Sequence, residues 1–215
     1  MKLLITGATG MVGSEVLHQA INDNEISQVI ALVRTPLRLS HPKLKTIIHK
    51  NFIEYHEISN DLLTVDACIW CLGISQFKVQ EDEYRVITYD YALAGAQAML
   101  HANPNINFVF LSGMGADNTG ESKTLFARVK GQTENALDTF PFKKLFFARP
   151  GGIKSVRKIE GRPFYEKLVG WFYPLFKTFA PKYFIDSEQL ALALIAIAKK
   201  GYSKKIISNE DLLKI

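Results

Sequence analysis

The chain has 215 residues, 47% of them hydrophobic and 22% charged, which excludes wholesale disorder and suits one domain with a full core. Its formal net charge is +5, but the 26 basic residues are scattered or in short pairs such as Lys199 and Lys200, so no basic patch argues for a nucleic-acid partner. Two cysteines exclude a disulfide-rich scaffold.

The first predicted element is a strand, "KLLIT" (2–6), followed by "GATGMVG" and a helix with Val12, Val16, Leu17, Ala20 and Ile21 on one stripe. Further apolar runs of strand length are "QVIALV" (28–33), "KTIIH" (45–49), "DACIWCL" (66–72), "NFVFLS" (107–112) and "KKLFFA" (143–148). Most are continuous rather than alternating, the pattern of strands covered on both faces. Helical spacing is predicted from about Asp82 to His101 and from about Ser122 to Thr139, and a further helix follows an Asp186 or Ser187 cap. Alternating strand and helix predicts an α/β fold with a doubly wound, mostly parallel sheet of Rossmann type. Right-handed crossovers then bring the loops "TGATG", "VRTP", "NFIE", "CLGISQ", "SGMGAD" and "ARPGG" to one sheet edge.

Residues 1–215 are thus expected to form one cofactor-binding domain, with a small C-terminal helical lid over the ligand edge at 153–200. The aromatics of that tail equally suit packing on the sheet or contact with a partner or membrane surface. The stretch from Leu168 to Phe176 falls short of the roughly 20 apolar residues of a membrane span. With no secretory signal pattern after Met1, a cytoplasmic location is expected. Cys68 and Cys71 have the C-x-x-C spacing of redox or metal motifs, but on a buried strand residues three apart face opposite sides. A zinc site also needs a second ligand pair, and His41, His49 and His56 lack the usual spacing, so no metal is expected.

The glycine loop carries the first chemistry. Gly7 permits the tight turn, Gly10 lets backbone approach a pyrophosphate, and Gly13 lets the helix pack on the strand. Backbone N–H groups of Thr9, Gly10, Met11 and Val12, with the helix dipole, would then meet the phosphates. A site for the unphosphorylated dinucleotide places an acid near the end of the next strand; here stands Arg34, with Arg38 nearby. A guanidinium fork fits a 2′-phosphate, so NADP (NADPH) is the expected cofactor.

Together, "ITGATGMVG", "VRTP", "CLG", "LSGMGAD", "ARVKGQTENAL" and "ARPGG", in this order over about residues 2–200, resemble the atypical short-chain dehydrogenase/reductases, and within them the subgroup similar to the human Tat-interacting protein. The resemblance implies a Rossmann fold and NADP binding. It implies that Phe52 flanks the adenine, although the family often has Asp where this chain has Asn51, and that Leu72 and Gly73 border the adenosine ribose and pyrophosphate. It sets Ser112 where the family keeps its catalytic serine or that serine's neighbour, Lys130 on the nicotinamide ribose, and Pro150 and Gly151 at the nicotinamide end.

One position departs. The family's catalytic pair is Tyr-x-x-x-Lys, in which residues four apart share a helix face and the ammonium lowers the phenol pKa for proton transfer. Here the motif reads "FARVK", and Phe126 has no hydroxyl to ionise. Tyr84, Tyr89, Tyr91, Thr124 and Tyr165 are the candidate substitutes. Three readings follow: an NADPH-dependent reductase of a small carbonyl or quinone-like substrate, with Lys130 and Ser112 as its catalytic residues; a non-catalytic NADP(H)-sensing protein that docks a regulatory partner; and a scaffold that binds no nucleotide.

Overall fold

The computed structural model describes residues 1–157 and 181–215. The strands are β1 (Lys2–Thr6), β2 (Gln28–Val33), β3 (Leu44–Ile48), β4 (Ala67–Trp70), β5 (Asn107–Leu111), β6 (Lys144–Arg149), β7 (Gly152–Lys154), β8 (Phe184–Asp186) and β9 (Ile206–Ser208). The helices are α1 (Met11–Asn22), α2 (Ser59–Leu62), α3 (Glu81–Arg85), α4 (Tyr91–Ala102), α5 (Leu125–Asp138), α6 (Ser187–Lys200) and α7 (Asn209–Leu212). All six strands read from the sequence are present. A seven-stranded parallel sheet runs in the order β3-β2-β1-β4-β5-β6-β9, and β7 and β8 pair in a separate two-stranded parallel ribbon. Strand order reverses between β1 and β4, the crevice where doubly wound sheets take their ligands.

The continuous apolar strands are continuous because both faces are covered. One core holds Leu3, Ile5 and Val29 against Val16 and Leu17 of α1 and Leu190 and Leu194 of α6. The other holds Leu4, Trp70, Phe108 and Phe110 against Ala92, Ala96 and Met99 of α4 and Leu137 of α5. The whole stripe read on α1, from Val12 to Ile21, is buried. Cys68 packs in the second core and Cys71 against the first, on opposite sides of the sheet. Strand β4 is shorter than its apolar run because the N–H of Leu72 donates to Thr6 Oγ1 at 3.1 Å instead of continuing the ladder. The long helix read from Asp82 onward is interrupted by a π turn over Val86–Asp90.

Of the lid segment expected at 153–200, residues 158–180 lie outside the described residues, and its second helix is described. This helix, α6, begins at the expected cap, Asp186, whose side chain accepts from the Gln189 N–H at 2.8 Å. It then buries Leu190, Ala191 and Leu194 beside α1, and Asn107 Nδ2 at the foot of β5 donates to its last carbonyls, Ile197 and Ala198. An apolar face of this width belongs to the layer covering the sheet. The aromatic stretch 168–176 and Tyr165 lie outside the described residues.

Candidate functional site

Gly7 turns the chain after β1 with φ +66, and a Cβ there would stand 2.6 Å from the Cys71 carbonyl oxygen. At Gly13 a Cβ would stand 2.2 Å from the Gly7 carbonyl oxygen, so only glycine lets α1 start this close to the turn. Gly10 is different: its Cβ would meet only Gly7 O, at 3.2 Å, and the space above it is free among the described residues. The Gly10 N–H donates to Gly7 O at 2.8 Å, and no side chain caps the first turn of α1. The N–H groups of Met11, Val12 and Gly13 therefore open outward at the positive end of a 12-residue helix. This cradle fits a pyrophosphate.

Arg34 follows β2 directly, exposed, with no ion pair or side-chain hydrogen bond among the described residues, as is Arg38. Leu72 is half-buried and Gly73 exposed at the end of β4, with nothing within 4 Å of a Cβ on Gly73. The placement of Phe52 corrects the expectation for it. Its ring is 1% exposed, stacked on Tyr91 at 5.7 Å and edge-on to His49 at 5.3 Å and Trp70 at 6.4 Å, so it is core rather than a ligand wall. The neighbouring Ile53, 48% exposed, is the apolar side chain that this loop presents outward. Its N–H is held by Asn51 Oδ1 at 3.1 Å.

Farther along the same edge, Ser112, Phe126, Pro150, Gly151 and Tyr183 line a cleft of about 650 Å3. Ser112 is 7% exposed, its N–H donates to Ala148 O at 2.8 Å, and its Oγ has no partner among the described residues. An orphaned buried hydroxyl is costly and unusual, and here it borders the cleft. Phe126 forms a wall: its N–H donates to Gln76 Oε1 at 2.7 Å, and a Cβ on Gly113 would stand 2.5 Å from its ring. The Pro150 carbonyl accepts from Met114 N–H and the Gly151 N–H donates to Asn209 Oδ1, both at 2.8 Å.

Lys130 reaches this edge from α5. Its Nζ donates to Leu111 O at 2.8 Å and sits 4.5 Å from the centroid of the Phe110 ring. Burial lowers its ammonium to about 8, against the charge of Glu134, which pulls it up. Burial likewise pushes the Cys71 thiol up to about 12, so it is a thiol and not a thiolate at neutral pH. Arg149 does not face the cleft as a free cation. Its guanidinium is bound to both carboxylate oxygens of fully buried Glu134 and to Asn118 Oδ1, which ties the loop after β5 to α5 and β6.

The structure gathers Ser112, Pro150 and Gly151 around one cleft and the three loop glycines at the turn between β1 and α1. The substitute hydroxyls proposed from sequence are elsewhere: Tyr84 is 1% exposed, Tyr89 lies under the Arg85 guanidinium at 4.7 Å, Tyr91 stacks on Phe52, and Thr124 heads α5 outside the cleft lining. Tyr183 is the phenol in the cleft lining, and sequence reading missed it. It gets there because β8 pairs with β7, setting Phe184 opposite Gly152, and no local pattern encodes that pairing.

Residues 7–140 match the protein family described as NAD(P)H-binding. Over its whole length the chain is 26% identical to "Protein FMP52, mitochondrial" of Candida albicans, covering 98% of that protein. It is 28% identical over 163 residues to "Protein HTATIP2" of Rattus norvegicus, covering 75% of this chain and 66% of that one. Among solved structures, Gre2 from Candida albicans in complex with NADPH superposes with a TM-score of 0.72 at 15% identity, covering 96% of this chain and 77% of that one, a likeness of fold. The relatives matched over nearly their full length are named mitochondrial, which overturns the cytoplasmic expectation. Lack of a secretory pattern separates secreted from retained proteins and says nothing of organelles. No helix among the described residues is long and apolar enough to cross a membrane.

Proposed function

From the premise that the chain belongs to the NAD(P)H-binding family, as an atypical short-chain dehydrogenase/reductase resembling HTATIP2, we propose that it is an NADPH-dependent reductase of a small carbonyl or quinone-like substrate. All of residues 1–215 serve this one function as a single cofactor-binding domain. The observation that carries the reading is the cleft of about 650 Å3 bordered by the unpartnered hydroxyl of buried Ser112. Such a group awaits a polar atom of a ligand, and a substrate carbonyl oxygen is the economical candidate.

The Gly7–Gly13 turn, with the Thr9 N–H and the open N–H groups of Met11 and Val12, binds the pyrophosphate. Arg34 pairs with the 2′-phosphate, Leu72 and Gly73 border the adenosine, and Pro150 and Gly151 back the nicotinamide. Lys130 swings from Leu111 O to the ribose hydroxyls, and Ser112 holds the substrate carbonyl. When bound, the cofactor supplies the hydride.

Phe126 favours a second reading, a protein that binds NADP(H) and signals through a regulatory partner without turnover, since the usual phenol is missing from the cleft wall. Titration with NADPH and NADH, then a hydride-transfer assay over aldehydes, ketones and quinones, separates the two. Turnover of any member supports the reductase. Tight NADPH binding without turnover, with activity appearing in Phe126→Tyr, supports the sensor.

A further inference from the structure

Resting on the reductase reading, we propose that Tyr183 is the proton donor, supplying from elsewhere in the cleft lining the phenol that Phe126 lacks. Hydride addition to a carbonyl carbon leaves negative charge on the oxygen, and an acid within hydrogen-bond reach must quench it. Among the described residues, the cleft lining offers two side-chain hydroxyls, Ser112 and Tyr183. A serine hydroxyl hydrogen-bonds but does not titrate in the protein range, whereas phenols ordinarily ionise near pH ~10. The division of labour follows: Ser112 orients the oxygen and Tyr183 protonates it.

Tyr183 is held there by built structure. Asn209 accepts the Gly151 N–H at 2.8 Å and donates through Nδ2 to the carbonyls on either side of Tyr183, Lys182 O at 2.8 Å and Phe184 O at 3.4 Å. The Tyr183 carbonyl packs so closely on Gly151 that a Cβ there would stand 2.1 Å away. The segment is thereby locked to the strand end that carries Pro150. Lys182 Nζ lies 5.1 Å from the centroid of the Tyr183 ring, a cation–π contact that helps to hold the ring in place. Tyr183 is 46% exposed, so water can return its proton.

The step balances. The carbonyl carbon gains a hydride, with its electron pair, from the reduced nicotinamide, which is oxidised. The carbonyl π bond breaks, the Tyr183 O–H bond breaks, and the proton goes to the oxygen to give an alcohol. The tyrosinate takes a proton from water.

The test is Tyr183→Phe, with Tyr183→Phe/Phe126→Tyr beside it, on the full chain. Two measurements are made with acetophenone, cyclohexanone, benzaldehyde and menadione. The first is equilibrium binding of each probe to the protein holding NADP+, where no reduction occurs. The second is turnover with NADPH. Tyr183→Phe is expected to weaken binding of the best-bound probe about fivefold, the loss of one hydrogen bond. It is expected to lower turnover at least about a hundredfold and to abolish the basic limb of the pH profile, with NADPH affinity unchanged. Phe126→Tyr is expected to restore at least about a tenth of the rate in the double variant, since a phenol four residues before Lys130 returns the usual relay. Wild-type turnover with an unaltered pH profile in Tyr183→Phe overturns the proposal and leaves the reductase reading standing. If the wild type turns over no probe, the reductase reading fails, and equal or absent binding in both proteins overturns this one as well.

Discussion

At the scale of single residues, charge decides more than size. Arg34 stands exposed at the end of β2, with no ion pair or side-chain hydrogen bond among the described residues, so its guanidinium is available to a 2′-phosphate. Arg34→Ala should weaken NADPH about ten- to a hundredfold, the worth of a charge-assisted hydrogen bond, while NADH changes less than about twofold. Calorimetric titration of both cofactors checks this, and equal losses would remove the assignment. Lys130 acts through its burial. Its ammonium titrates at about 8 in the folded protein against an ordinary 10.5, so the unfolded chain binds more protons between those values and stability rises with pH across that window. In Lys130→Met the slope between pH 8 and 10.5 should flatten, and the apoprotein at pH 7 should gain about 1–3 kcal/mol while losing cofactor affinity. Urea unfolding at stepped pH reads both effects. The sequence made Lys130 legible through its helix spacing, but the Leu111 O and Phe110 ring that hold its buried ammonium come from strand β5.

At the scale of elements, the first turn and helix separate two jobs that glycine does. Gly13→Ala puts a methyl 2.2 Å from the Gly7 carbonyl oxygen and must push α1 off β1, at a cost of about 1–3 kcal/mol. Gly10→Ala meets backbone only at 3.2 Å and should cost less than about 1 kcal/mol, yet it fills the approach of the pyrophosphate. Thermal unfolding and NADPH titration of the two variants should thus move oppositely: stability falls most in Gly13→Ala, affinity without stability in Gly10→Ala. The close packing at Gly7 and Gly13 was readable from the spacing of Gly7, Gly10 and Gly13, because the strand-turn-helix unit is local and its sterics are set by neighbours in the chain. The β7–β8 ribbon was not. Each strand has three residues, too short for a periodic pattern, and the pairing of Gly152 with Phe184 spans a long intervening segment.

At the scale of the whole molecule, binding and folding are linked. A ligand that binds only the folded state at about 100 times its Kd adds about 2.7 kcal/mol, and for a chain of this size each kcal/mol moves the midpoint by about 2–4 °C. NADPH at that excess should therefore raise the melting temperature by roughly 5–10 °C, NADH at equal concentration by less, and Arg34→Ala should erase the difference. Absence of any rise with either cofactor would remove the binding site proposed along the sheet edge.

The sequence alone determined the α/β alternation, the doubly wound sheet and the sheet edge that carries the glycine loop, because strand burial, helix periodicity and turn glycines are written in neighbouring residues. Tertiary structure alone decided which side chains share a site. It sent the Phe52 ring into the core beside Trp70 and Tyr91, put α6 on the sheet beside α1, and carried Tyr183 to the cleft of Ser112 and Phe126. Proximity of that kind depends on the register and packing of segments far apart in the chain, which no local pattern records.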